Sequence, residues 1–193
     1  VAAVESSNRL GPWVAAGEPV ESLADDEIAL NQWAADDLKA KPGALIRLTY
    51  FEPETTHGQP REHSANFRLR TVLPLTAPAA PYRRNRPARF AAAPTWANDP
   101  DLTPEVAGVT DQESIDDWDP PFPFDYRRIR QPIDEDYWDS YRTTPKAFIT
   151  KAAGERWWGS RFGKTTSLRM AIDPAVTADA LRHRIESAIH EDL

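Results

Sequence analysis

The chain contains no cysteine, which removes disulfides, thiol nucleophiles and cysteine-based zinc sites. No segment approaches the run of about 18 apolar residues that a membrane-spanning helix needs. No charged start followed by an apolar stretch resembles a signal peptide either. Positive charge is also short: 23 Lys and Arg stand against 30 Asp and Glu, a formal net charge of −7. Nucleic acid is therefore excluded as the main partner, because duplex binding depends on cations neutralising phosphates. The chain begins at Val1 rather than Met and reads as either a processed chain or, preferably, a fragment of a longer protein. Histidine is scarce. His57 and His63 fall in a polar stretch, and His183 and His190 lie seven apart with Glu186 between them. Neither pair has the i, i+4 spacing of a metalloenzyme helix, so no metal site is expected.

Large apolar side chains are plentiful. With 40% hydrophobic residues, including seven Trp, seven Phe and five Tyr, the chain is too apolar for a disordered one despite its 18 prolines. A chain of 193 residues buries roughly 70% of its unfolded surface.

Residues 1–26, with Gly11, Pro12, Gly17 and Pro19, read as an irregular lead-in. Glu27-Ile28-Ala29-Leu30 suits a strand. Asn31 then caps a helix over Gln32 to Lys39 that places Leu30, Ala34 and Leu38 on one stripe, and Lys41-Pro42-Gly43 stops it. Ile46, Leu48 and Tyr50 alternate with Arg47 and Thr49 as in a strand with one buried face. After a loop from Glu52 to Ala65, Phe67, Leu69 and Thr71 alternate with Arg68, Arg70 and Val72 as a further strand.

The span 76–144 differs in kind. Together with its edges, Pro74 and Pro145, it holds twelve of the 18 prolines and reads as an insertion. Its aromatic residues, Trp96, Trp118, Phe122, Phe124, Tyr126, Tyr137, Trp138 and Tyr141, imply that it folds back and packs, and Asp134 to Tyr141 suits a short helix. Beyond it, Ala147 to Ile149 suits a strand, Ala152 to Trp158 a helix closed by Gly159, and Ser167 to Ile172 a strand. A last helix starts at Asp173-Pro174 or at Thr177 and carries Leu181, Ile185, Ala188 and Ile189 as its apolar stripe. The expected fold class is α+β, a mixed sheet with short helices. Residues 27–75 and 145–193 form the core, and 76–144 is packed on it.

Sites of chemistry are few. Gly159 to Thr165 fails as a phosphate loop, because three residues rather than four separate its glycines and a strand follows it. The segment from Asp111 to Asp125 combines carboxylates with aromatic rings, as a sugar-cleaving cleft does. It supports an alternative reading as a secreted carbohydrate-binding or carbohydrate-active domain. Partner contact is expected at Trp118, Phe122 and Phe124 and at the cations Arg83, Arg84 and Arg86.

The order of short motifs resembles a known family. Glu27-Ile28-Ala29-Leu30-Asn31 leads through Ala34 and Leu38 to Lys41-Pro42-Gly43 and Leu48-Thr49. This resembles the "strand, N-E-x-x-A, L-x-x-K-x-G-D, strand" segment in the periplasmic regions of MacB-like and FtsX-like ABC-transporter permeases. Arg68 to Pro74 is similar to the strand that follows there. Pro145 to Ile149 with Ala153 to Gly159, then Thr166 to Ile172 with Asp173-Pro174, resemble the closing strands and helices. Trp158 to Lys164 is similar to a subset of large bacterial permeases that carry an acidic, aromatic insertion. Ala44 stands where that family usually has Asp, and Thr71 where it often has a small residue.

The resemblance implies a non-catalytic, extracytoplasmic domain on the outer face of the bacterial inner membrane, part of an integral membrane protein and without a cofactor of its own. Its partners would be the transmembrane segments of its own parent chain, a cytoplasmic ATPase reached through them, which alone would bind ATP, and another permease copy or a periplasmic protein.

Overall fold

The computed structural model describes residues 1–5, 13–15, 18–20, 22–52, 61–82, 88–160, 163–169, 173 and 175–191. Within them the chain forms a five-stranded sheet, two strand pairs, four α-helices and three short 3-10 turns. The fold is α+β.

Strand β1 (Ala2–Val4) opens the chain, and β2 (Trp13–Ala15) pairs antiparallel with β3 (Glu18–Val20). Then come β4 (Glu27–Asn31), α1 (Gln32–Asp37), β5 (Leu45–Phe51) and β6 (Glu62–Leu73). The 76–144 span holds the small pair β7 (Pro78–Ala80) and β8 (Arg89–Phe90), the 3-10 turns, and α2 (Ile133–Tyr141). Strand β9 (Ala147–Thr150), α3 (Lys151–Trp158) and α4 (Ala178–Glu191) follow. The sheet order is β1-β9-β4-β6-β5. It is mixed: β1 runs parallel to β9 and β4 parallel to β6, while β4 with β9 and β5 with β6 are antiparallel.

Both faces of the sheet are covered at its centre. On one face Ile28, Leu30, Phe67, Leu69 and Ile149 pack with Ala34, Ala35 and Ala153 from α1 and α3. On the other, Ala29, Leu73 and Phe148 pack with Leu23 and with Trp96, Ala97 and Leu102 from the 76–144 span. This two-sided burial explains why β4 and β9 read as continuous apolar runs rather than alternating ones. A third cluster, Val109, Ile115 and Trp138, lies within the span itself.

Local chemistry sets the helix ends. Asn31 has extended backbone and its side-chain oxygen accepts the Ala34 amide at 2.8 Å, which caps α1. Thr150 caps α3 in the same way through the Ala153 amide. Asp134, Glu135 and Asp136 place negative charge at the N-terminus of α2, where the helix dipole favours it.

Several expectations are corrected. The 1–26 lead-in is not irregular throughout: a three-residue strand there completes one sheet edge, and Leu23 is buried. A strand of three small residues gives no periodic signal, so only its partner β9 reveals it. Helix α1 stops at Asp37 because Lys39 turns into the left-handed region with φ 51°, which leaves Leu38 exposed rather than on the buried stripe. Strand β6 starts at Glu62, inside the expected loop, since pairing with β5 carries its polar end; residues 53–60 of that loop lie outside the described residues. The even alternation expected along Phe67 to Val72 is broken by a bulge at Arg70. The partners of Ile28 and Ala29 are Leu69 and Thr71, so Val72 rather than Thr71 joins the helix-side cluster.

No strand forms at Ser167 to Arg169, and Leu168 is 84% exposed there; residues 170–172 lie outside the described set. Thr177 caps the last helix through the Ala180 amide at 3.2 Å, whereas Asp173 makes a turn before it. Among residues 163–169, 173 and 175–188 none is buried. Of the expected α4 stripe, Leu181 is half-buried and Ile185 exposed, and neither belongs to a buried cluster.

Candidate functional site

A groove of about 550 Å³ lies over the helix side of the sheet, within the size range of ligand pockets. Its floor and walls are Ile28 and Leu30 of β4, Ile46, Leu48 and Tyr50 of β5, Trp33 of α1 and Leu38 at its C-terminal end, and Trp158 of α3. The groove exists because α1 is short. Six residues of helix span about 9 Å, too little to cover β5, so the period-2 apolar face of that strand stays half-buried.

Polar groups gather along one wall. The Lys146 ammonium lies 4.2 Å from the centre of the Trp33 ring and 4.5 Å from that of Tyr137, and it donates to Asp134 at 3.1 Å. Arg130 grips Asp37 with two hydrogen bonds of 3.0 and 2.8 Å and reaches Asp134 at 3.3 Å. Burial pushes the Lys146 ammonium below the usual lysine range, partly opposed by Asp134. Burial acts to raise the Asp134 carboxyl, but the Arg130 amide and Lys146 outweigh it and hold it below the usual carboxylate range. Hydrogen bonds to Asp37 and then Asp134 raise Arg130 further above its ordinary value. Below this wall Tyr137 is buried and its hydroxyl is pushed well above the tyrosine range by desolvation. Asp37, Arg130, Asp134 and Lys146 thus hold one another, and the wall offers fixed charge and aromatic surface to a bound group.

The residues expected to contact partners divide. Arg83, Arg84 and Arg86 lie outside the described residues. Trp118 is half-buried, its ring 4.9 Å from Trp138 and 5.7 Å from Phe124, both edge to face. Its backbone oxygen accepts the Tyr126 hydroxyl at 2.9 Å, and its indole N–H is buried with no hydrogen-bond partner. Phe124 is half-buried against Tyr126, while Phe122 is 51% exposed. The structure thus joins Trp118 and Phe124 in one aromatic stack and leaves Phe122 at the surface. His63 sits on β6, stacked on Tyr50 and 3.5 Å from Glu52, and His183 is exposed on α4. His57 and the His190 side chain lie outside the description.

Sequence reasoning missed the groove. Trp33, Asp37, Arg130, Asp134 and Lys146 come from segments distant in the chain, and no local spacing signals that they meet. The one available cue was Tyr137 and Trp138 in an amphipathic segment, which marked α2 as packed but not against what. No family model, curated protein or solved structure matches the chain.

Proposed function

We propose that this chain is a non-catalytic extracytoplasmic domain of an ABC-transporter permease of the FtsX or MacB type. In this reading it docks a partner or substrate and couples its motion to a separate cytoplasmic ATPase. One observation carries it: the motifs that resemble that family fall in order on β4, α1, β5 and β6, and again on β9 and α3. The groove supports a binding role, since an apolar floor with a few fixed polar groups at its rim is how proteins hold ligands. Arg130, just before α2, is tied to Asp37 of α1, and Lys146, just before β9, is tied to Asp134 of α2. A load on the 76–144 span would reach the sheet through these ties, as motion coupling requires.

Because these 193 residues contain no cysteine, a direct test needs only that any cysteine elsewhere in the parent protein be replaced by serine. Leu168→Cys in the full parent protein places one thiol at an 84% exposed position. Labelling by a membrane-impermeant maleimide at the outer face of the inner membrane, in cells with a permeabilised outer envelope, supports the reading. Labelling that appears only after the inner membrane is broken overturns it.

A further inference from the structure

The geometry points to edge pairing of β5 with β5 of a second copy of this chain, antiparallel about a two-fold axis at Leu48. Strand β5 ends the sheet, and no described strand pairs with its outer side. Unpaired edges invite further strands, and proteins usually guard them with proline, lysine, a bulge or shortness. Strand β1, at the opposite edge, is three residues long. Strand β5 has seven residues, Leu45–Phe51, with no proline, no lysine and an unbroken register against β6.

The hydrogen bonds fix which groups point outward. Glu52 donates to Arg61 at 2.9 Å and Leu69 to Ala44 at 2.8 Å, at the two ends of the β5 and β6 register. In an antiparallel pair the bonded positions alternate. Ile46, Leu48 and Tyr50 therefore bond to β6, while the N–H and C=O groups of Leu45, Arg47, Thr49 and Phe51 face the open edge. These last four form the bonded positions of a second ladder.

The sequence LIRLTYF suits self-pairing because its chemistry reads alike in both directions about Leu48. Leu45 then opposes Phe51 of the second copy, Ile46 opposes Tyr50, and Arg47 opposes Thr49. Leu48 meets its own counterpart in a non-bonded pair, the closer of the two pair types. Each apolar residue meets an apolar one, and the single charge, Arg47, meets a hydroxyl rather than another arginine. Leu45, 72% exposed, gains an apolar neighbour. A two-fold axis normal to the sheet keeps each face continuous, so the apolar face that floors the groove extends into the second copy. A strand from an unrelated protein would not need this reversal symmetry, which is why a second copy is the occupant. The inference does not depend on the parent being a permease.

Sedimentation velocity of the chain over a range of concentrations tests it, with three substitutions at Thr49. The wild-type chain is expected to form a dimer. T49K sets lysine against Arg47 twice across the axis and should raise the dimer dissociation constant about tenfold, whereas T49E supplies two ion pairs and should lower it by a similar factor. T49P removes an outward N–H without touching the bonds to β6 and should give a folded monomer. A wild-type monomer at every concentration overturns the pairing, as does a dimer on which T49K and T49E act in the same direction. If T49P does not fold, the opposed effects of the two charges still decide.

Discussion

The Asn31 side-chain amide donates to the Tyr137 hydroxyl at 2.9 Å, joining the end of β4 to α2 across 106 residues of chain. The same amide donates to the Pro145 carbonyl at 3.0 Å, and the Tyr137 hydroxyl donates to the Thr144 carbonyl at 2.8 Å. With the Ala34 amide on its oxygen, Asn31 is fully buried and satisfied on both sides. One residue thus caps α1 and holds the C-terminal end of the proline-rich span to the sheet.

Asn31→Ala loses the cap and leaves a buried carbonyl without a donor. It should cost about 2 to 4 kcal/mol. Tyr137→Phe removes one hydroxyl and should cost about 1 to 2 kcal/mol. Because the two groups share a bond, the double variant should lose less than the sum of the singles. Urea unfolding of all four chains checks this, and strictly additive losses would show that the bond contributes nothing.

Gly154 makes a second, sign-reversed case. Replacing glycine by alanine inside a helix ordinarily stabilises by about 1 kcal/mol. Here a Cβ on Gly154 would lie 2.2 Å from the Cβ of Ala3, because β1 passes directly over α3. Gly154→Ala should therefore destabilise, by about 1 to 3 kcal/mol. Adding Ala3→Gly should recover most of that loss, since it removes the opposing methyl. Thermal unfolding of the single and double variants measures both, and no recovery would show that β1 does not pack on α3.

Elements whose burial follows from local pattern were legible in the sequence: the strand before Asn31, its cap, and the strand and helix from Ala147 to Trp158. Those that depend on a distant partner were not. Ala2 to Val4 is a strand only because β9 supplies the neighbouring ladder. The bulge at Arg70 lies within an apparently even alternation, and nothing in the residues marks it. The spacing of Leu181, Ile185 and Ala188 reads as an apolar stripe, yet spacing does not say what lies beneath, and Ile185 is 37% exposed. The groove was hidden for the same reason: the cation at 146 and the ring at 33 become neighbours only after folding.

Asp134 gives the pH dependence. Its carboxyl is held below the ordinary value of 3.8 in the folded chain, so the folded state favours its charged form. That contribution is present in full above the unfolded value and is lost as pH falls through the lower folded one. Asp134→Asn should reduce stability at pH 6. The gap between the wild type and this variant should narrow once pH drops below about 4. Denaturant titrations at a series of pH values read the gap directly, and a gap independent of pH would remove the carboxylate as its source.

The aromatic segment separates packing from contact. Trp118 packs against Trp138 and Phe124 and accepts the Tyr126 hydroxyl on its backbone, so Trp118→Ala should open a cavity. It should destabilise by about 2 to 4 kcal/mol, less than a fully buried Trp loses, because the ring is only half-buried. Phe122 has 51% exposure, and Phe122→Ala should change stability by no more than about 0.5 kcal/mol. A partner that docks on this segment must therefore be sought with Phe122→Ala, where weakened binding cannot be attributed to unfolding. If Phe122→Ala destabilised as strongly as Trp118→Ala, Phe122 would be part of the packed cluster and its exposure would no longer point to a contact surface.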